Sequence, residues 1–250
     1  MDLLATEFLK LRTQRSMRML LLVALLLTVA GFILFALGVR GAFSAELGLE
    51  NEIIQRQMLG TGGLATLLIL VFAIVGITTE YRHETITWAF LSTPRRHRVL
   101  LAKLVTYVIV AVVFGAIVSA LITAGVVIFL QIENVALVVP WSTIWGDFGR
   151  DLAGLTVAAC FGFTVGAIVI NQVVSLAIIF AQFIISPIVM GLYPKVGKFL
   201  PAHAAASFLA DQRFPGDGFL SAGMGALAIA IWIAVLLGVA VYLTQRRDIT

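Results

Sequence analysis

Six long apolar stretches without a charged residue constrain this sequence more than any other feature. They cover residues 19–39, 60–79, 104–130, 152–170, 173–193 and 219–244. A helix needs about 20 mainly apolar residues to cross the hydrocarbon core of a bilayer. Helices also satisfy their own backbone hydrogen bonds there, which an isolated strand does not. The sequence therefore predicts an all-α membrane protein, with six transmembrane helices in a single transmembrane domain over residues 1–250.

Composition argues against a soluble domain. Hydrophobic residues make up 61% of the 250 residues and charged residues only 12%, whereas soluble proteins are about 25% charged. The polar intervals between stretches are also too short to fold separately.

The single cysteine, Cys160, excludes an internal disulfide and a CxxC site.

The fourth and fifth stretches are separated only by Asn171 and Gln172. This junction fits either a tight helical hairpin or a less regular break, and the sequence leaves both open.

The distribution of lysine and arginine predicts the orientation. Eleven of these residues fall in the N-terminal arm, the loop between the second and third stretches, and the tail, whereas six fall in the other connections. Because positive charges favour the cytoplasmic side, we expect both termini to be cytoplasmic.

The N-terminal arm, residues 1–18, has an amphipathic pattern. Leu4, Phe8 and Leu11 recur at helical spacing, while Glu7 and Lys10 lie away from that stripe. This pattern is typical of a helix lying in the membrane interface. A solvated leader is the alternative.

The apolar stretches offer little for catalysis or proton coupling. They contain no Asp, Glu, Lys, Arg or His, and such residues normally mark proton relays and active sites within membranes. Sodium coupling through span hydroxyls stays open. The sequence also lacks a metal-ligand motif, a GxSxG motif and a phosphate loop. We therefore expect no enzymatic activity and no cofactor bound by this chain, so any nucleotide hydrolysis would belong to another polypeptide.

The loop over residues 80–103, EYRHETITWAFLSTPRRHRVLLAK, differs from a simple connector. A helical interpretation places Ile86, Phe90 and Leu91 on a similar side, with Trp88 elsewhere. An apolar face on a cytoplasmic loop suits a groove on a partner protein. Alternatively, Arg95, Arg96 and Arg98 only enforce topology and contact anionic lipid.

The pattern of this loop resembles that of the permease subunits of ABC-2 type ABC transporters, and the six-span layout of the whole chain is similar too. The positions that match the family pattern are Glu80, Tyr81, Arg82, Thr85, Pro94, Arg98 and Lys103. The tail over residues 245–249 also looks like the family's usual ending. Glu84 departs from the pattern, since glycine is common there.

The resemblance implies roles for the arm and the loop. The arm would be an elbow helix, with Leu4, Phe8 and Leu11 on its apolar face. The loop would be a coupling element seated on an ATPase subunit. Glu80, Arg82 and Thr85 would shape its start, and Pro94, Arg98 and Lys103 would fix its return to the bilayer. The other predicted residues of this coupling element are Trp88, Phe90, Arg95 and Arg96.

The resemblance also implies partners and a location. It implies two ABC ATPase subunits that bind ATP and Mg²⁺, and a second permease chain that is identical or related. No nucleic-acid partner is expected, because the basic residues lie beside the apolar stretches. Short external re-entrant helices are expected before the sixth span, with a simple external loop as the alternative. The expected location is the cytoplasmic membrane of a prokaryote.

The leading function is therefore the permease subunit of an ATP-driven exporter. The uncharged spans favour an amphipathic or hydrophobic substrate, such as a lipid, drug or peptide, although span threonines and amides would also suit a sugar. The alternatives are an ion-coupled or passive carrier, and a non-transporting scaffold or intramembrane enzyme.

Overall fold

The computed structural model describes residues 3–40, 48–83, 96–209 and 220–246. Six of its helical segments are long and apolar enough to cross a membrane, which confirms the six predicted spans. The α-helices are α1 (Leu3–Thr13), α2 (Arg15–Gly38), α3 (Glu52–Leu59), α4 (Gly63–Arg82), α5 (Arg96–Ile132), α6 (Trp141–Val169), α7 (Gln172–Leu192), α8 (Pro194–Gly197), α9 (Pro201–Leu209) and α10 (Ala222–Arg246). A 3₁₀ turn over Gly60–Gly62 joins α3 to α4, so the second span runs as one rod.

The third and fourth spans are among those that extend well beyond the hydrocarbon thickness. Helix α5 has 37 residues and is about 55 Å long at 1.5 Å per residue, against a hydrocarbon core of about 30 Å. Helix α6 begins at Trp141, directly after Pro140, so Trp141 and Trp145 lie in the first two turns of the fourth span. Trp141 and Trp145 are both exposed. The ends of these two helices therefore carry polar groups into the regions beyond the bilayer core.

The second, third and fourth spans form the centre of the bundle. Their side chains supply most of the main hydrophobic cluster, and α2 packs against one side of it. Helices α7 and α10 are peripheral. Only 17% and 11% of their most apolar 18-residue segments are buried inside the bundle, against 61% for α6. Their apolar outer surfaces are suited to contact lipid or another membrane chain.

Glycines allow the second and fourth spans to approach closely. A Cβ on Gly162 would lie 2.5 Å from the carbonyl oxygen of Leu70, and one on Gly166 would lie 2.5 Å from the Ile77 side chain. Small residues at such positions favour helix association in membranes, where close packing replaces the hydrophobic driving force. The contact between α4 and α6 therefore depends on these two glycines.

A buried glutamine organises the connection between the third and fourth spans. The Gln55 amide nitrogen donates to the carbonyl oxygens of Leu49 and Ala136, at 3.0 and 2.9 Å. Its amide oxygen accepts from the backbone nitrogens of Val138 and Val139, at 2.9 and 3.4 Å. One side chain thus supplies hydrogen bonds to the backbone of residues 136–139, which precede α6 and form no helix or sheet of their own.

The junction between the fourth and fifth spans is a tight turn. Ile170 adopts a left-handed backbone conformation, with φ of 63°, which is unusual for a β-branched residue. The Asn171 side chain then caps α7 by accepting a hydrogen bond from the Val174 nitrogen at 3.1 Å. The helical hairpin, one of the two alternatives left open by the sequence, is the one observed.

The expected short helices before the last span are α8 and α9, and they fold back onto the bundle. The Trp232 indole of α10 donates to the Phe199 carbonyl oxygen at 2.8 Å. Ser186 of α7 forms a hydrogen bond with the imidazole of His203 in α9, at 2.7 Å. Gly225 lies against the backbone of α9. The fifth and sixth spans are therefore linked through α8 and α9.

We predict that Gly162→Ala destabilises the protein, because its Cβ would collide with the backbone of α4. Overpacking of this kind costs about 1–3 kcal/mol. The matched control is Gly238→Ala in α10, where a Cβ would meet nothing within 4 Å and alanine gains helix propensity. Thermal unfolding in detergent should show a lower midpoint for Gly162→Ala only. Equal midpoints for the two variants would contradict the close approach of α4 and α6.

Candidate coupling site

An ionic cluster connects three segments that are distant in sequence. Glu7 lies in α1, Glu80 in the last turn of α4, and Lys103 in the second turn of α5. The Lys103 ammonium donates to the Glu7 carboxylate at 2.6 Å and to the Glu80 carboxylate at 2.5 Å. The Lys103 side chain is 0% exposed, and the carboxyl residues are 7% and 14% exposed. We call Glu7, Lys10, Glu80 and Lys103 the junction cluster.

Lys10 completes the charge balance of the junction cluster. One turn after Glu7, its ammonium donates to the second oxygen of the Glu7 carboxylate at 3.0 Å. Burial lowers the pKa of Lys10, but the hydrogen bond to Glu7 and the charges of Glu7 and Glu80 outweigh that effect and raise the pKa. Lys10 therefore stays protonated at neutral pH, and two cations face two carboxylates.

The amphipathic arm is oriented by this cluster. Leu4 and Phe8 are exposed, Leu11 packs at the edge of the main core, and Glu7 is the buried residue of α1. A charged side chain is buried at this depth only where it is paired. The ion pair with Lys103 therefore sets which face of α1 turns toward the bundle.

Aromatic packing connects the junction cluster to the bundle interior. Tyr107 follows Lys103 by one turn, and its ring lies between Phe72 of α4 and Phe163 of α6, with centroids 5.6 and 5.5 Å away. Gly76 makes room for the Tyr107 hydroxyl, because a Cβ there would overlap it. The cluster is thus anchored to all three central spans.

The structure brings together only part of the sequence-predicted coupling set. Glu80 and Lys103 pair directly, while Arg82 and Arg98 are exposed. The guanidinium of Arg96 lies 3.5 Å from the Thr244 carbonyl oxygen in the last turn of α10. The predicted residues outside the described ranges are Thr85, Trp88, Phe90, Pro94 and Arg95.

Sequence reasoning missed Glu7 and Lys10 as members of this site. It placed them on the polar side of an interfacial helix, where a charge normally contacts water or lipid headgroups. A signal was present, since Glu80 and Lys103 flank the informative loop and a buried lysine needs compensating carboxylates. The spacing did not reveal that the second carboxylate comes from the arm.

The geometry gives the junction cluster a mechanical role. Its charged groups pair with one another. Within the described residues, no group of three or more His, Cys, Asp or Glu side chains is placed to hold a metal ion. What the cluster does is hold residues 80 and 103, the two ends of the loop, against each other and against α1. Any displacement of the loop ends would therefore reach α1, α4 and α5 together.

We predict that Lys103→Met strongly destabilises the bundle, because it removes the cation between the two buried carboxylates and leaves only Lys10, which pairs with Glu7, to balance them. Breaking a buried ion pair costs about 3–5 kcal/mol. The control is Lys195→Met at an exposed position of α8. Adding Glu7→Gln and Glu80→Gln to Lys103→Met should restore part of the loss. A Lys103→Met midpoint equal to that of Lys195→Met would contradict the cluster.

The comparisons with known proteins agree with the fold. The chain matches the family model described as "ABC-2 family transporter protein" over residues 3–197, which includes the junction cluster and the first five spans. A comparison with curated proteins gave no match. Six apolar helices and this match confirm the resemblance found in the sequence. Family membership makes the chain an integral membrane permease component and implies an ABC ATPase partner. The chain belongs to the ABC-2 family of transporter proteins.

Proposed function

We propose that this chain is the permease subunit of an ATP-driven exporter whose energy enters through the loop over residues 80–103. The observation that carries the proposal is the junction cluster, in which Lys103 binds Glu80 across the two ends of the loop and Glu7 of α1. A partner pushing on the loop would move α1, α4 and α5 as one unit. ATP and Mg²⁺ would be bound by the partner ATPase.

The proposed docking face combines cations and aromatic side chains. Arg95, Arg96 and Arg98 follow Trp88 and Phe90 in the sequence, and aromatic and arginine residues supply most hot spots at protein interfaces. In the proposed topology this loop faces the cytoplasm together with both termini, where an ABC ATPase would bind it. The membrane would be the cytoplasmic membrane of a prokaryote.

The complete transporter would contain two ATPase subunits and two permease chains. The exposed apolar surfaces of the first, fifth and sixth spans support a second permease, because α2, α7 and α10 leave most of their apolar area outside the bundle. A translocation path between two such chains would have mainly apolar walls. This favours export of a lipid, drug or peptide with a large apolar part.

We predict that the loop variant W88A/F90A/R95E/R98E loses its ATPase partner. Arg96 is kept because its guanidinium contacts the Thr244 carbonyl oxygen of α10. The permease is co-expressed with its cognate ABC ATPase, and copurification of the two is measured by affinity capture of the permease. The variant should retain the unfolding midpoint of the wild type and capture at least tenfold less ATPase, because the docking face has lost its aromatic anchors and reversed its charge.

The matched control is W141A/W145A, which removes two exposed tryptophans from the other end of the bundle. It should capture ATPase as the wild type does. Full ATPase capture by the loop variant would argue against residues 80–103 as the docking element. Transport by the purified chain in vesicles without ATP would contradict ATP-driven export itself.

A further inference from the structure

A groove with a volume of about 440 Å³ lies on the outer surface of the bundle, between α2 and α5. Phe8 of α1 borders it, next to Glu7 of the junction cluster. Several of its lining side chains are about half exposed, so the groove opens outward. We call it the arm groove. Its lining from the two spans consists of Arg18, Leu21, Leu22, Leu25, Ile109, Val110, Val113, Phe114 and Ile117.

The arm groove is charged at one end and apolar along the rest of its length. Arg18 is the charged member of the lining, and it directly precedes the uncharged stretch over residues 19–39. On α5 the lining runs from Ile109 to Ile117, about 12 Å at 1.5 Å per residue. One leaflet contributes about 15 Å of hydrocarbon. The groove therefore matches a lipid chain that extends into one leaflet below its headgroup.

The guanidinium groups at the charged end have no carboxylate to bind. Arg15 lies one turn before Arg18 on a similar side of α2, and both residues are exposed. Neither has an ion-pair partner among the residues that the structure describes. Glu7 is the one acidic residue within α1, α2 and α5, and it already pairs with Lys10 and Lys103. Arg15 and Arg18 are therefore available to an external anion.

The charge of this whole end of the bundle also favours an anion. Six spans bring residues 1–18, 80–103 and 245–250 to the same end. Counted over the full sequence, including residues outside the described ranges, these three segments contain eleven lysine and arginine residues and five aspartate and glutamate residues. The surplus is positive wherever the remaining carboxylates lie, so it attracts an anionic group to the membrane surface there.

We propose that the arm groove binds an anionic phospholipid, with its phosphate beside Arg15 and Arg18 and one acyl chain along α2 and α5. The forked donors of arginine match phosphate oxygens, and basic pockets beside membrane helices are suited to lipid headgroups. Because Phe8 borders the groove, the bound lipid would contact the arm as well as the first and third spans. The inference concerns a lipid ligand and is independent of the coupling proposal.

The test measures lipid binding by the purified permease alone, in detergent, by native mass spectrometry. The probes are dioleoylphosphatidylglycerol and dioleoylphosphatidylcholine, which have the same chains and differ in headgroup charge. The wild type should bind the first molecule of the anionic lipid at least fivefold more tightly than the first molecule of the zwitterionic lipid. Equal affinity for the two lipids would overturn the proposal without the need for any variant.

Charge variants then locate the headgroup. R15Q/R18Q should reduce the preference for the anionic lipid to less than twofold, because both phosphate ligands are removed. The matched control is R82Q/R98Q, which removes the same charge from two exposed positions at the same end of the bundle and should keep the preference. An unchanged preference in R15Q/R18Q, or equal losses in the two variants, would overturn the assignment of the headgroup site.

A second pair of variants locates the acyl chain. Val113→Trp should fill the groove and weaken binding of the anionic lipid at least fivefold. Val235→Trp in α10 is the matched control, since Val113 and Val235 are 54% and 55% exposed. Equal lipid affinities of these two variants would overturn the chain site. Separation of a permease dimer by Val113→Trp, without any change in lipid affinity, would assign the groove to a second chain and likewise overturn the proposal.

Discussion

The Lys103 ammonium is held between the carboxylates of Glu7 and Glu80 without contact with water. A buried charge without a partner costs several kcal/mol, so these three side chains must meet whenever the bundle is folded. That requirement fixes the position of α1, joins the end of the second span to the start of the third, and brings together the two ends of the proposed coupling loop. The arrangement of α1, α4 and α5 at this end of the bundle depends on this ion pairing.

The second span extends from this cluster toward the opposite end of the bundle. It carries Glu80 in its last turn, and Gly63 lies about 25 Å away along the same helix. Glycine contacts with α6 hold it close to the fourth span between these points. A displacement that begins at the loop would therefore be transmitted toward the opposite end of the bundle through a packed pair of helices, because closely packed interiors transmit strain.

The sequence predicted the six spans well because hydrocarbon thickness leaves few alternatives for long uncharged stretches. It did not predict that α6 begins at Trp141, because Asp147, Arg150 and Asp151 interrupt the apolar pattern and indicate a loop. The ion pair between Glu7 and Lys103, which are distant in the sequence, could not be predicted either. Glu7 looks like a surface residue of an amphipathic helix, and only tertiary packing turns it toward Lys103. The left-handed backbone conformation of Ile170 was also not predictable from the sequence, because a β-branched residue rarely adopts it.

The central claim is that a partner ATPase contacts this chain through the loop over residues 80–103. The most direct test places a photoreactive benzophenone maleimide on a single cysteine, Trp88→Cys, after the native Cys160 has been replaced by serine. Irradiation of the assembled complex should then crosslink this chain to the ATPase, whereas the same probe at Trp141→Cys should give no such product. Crosslinking from position 141 but not from position 88 would contradict the account.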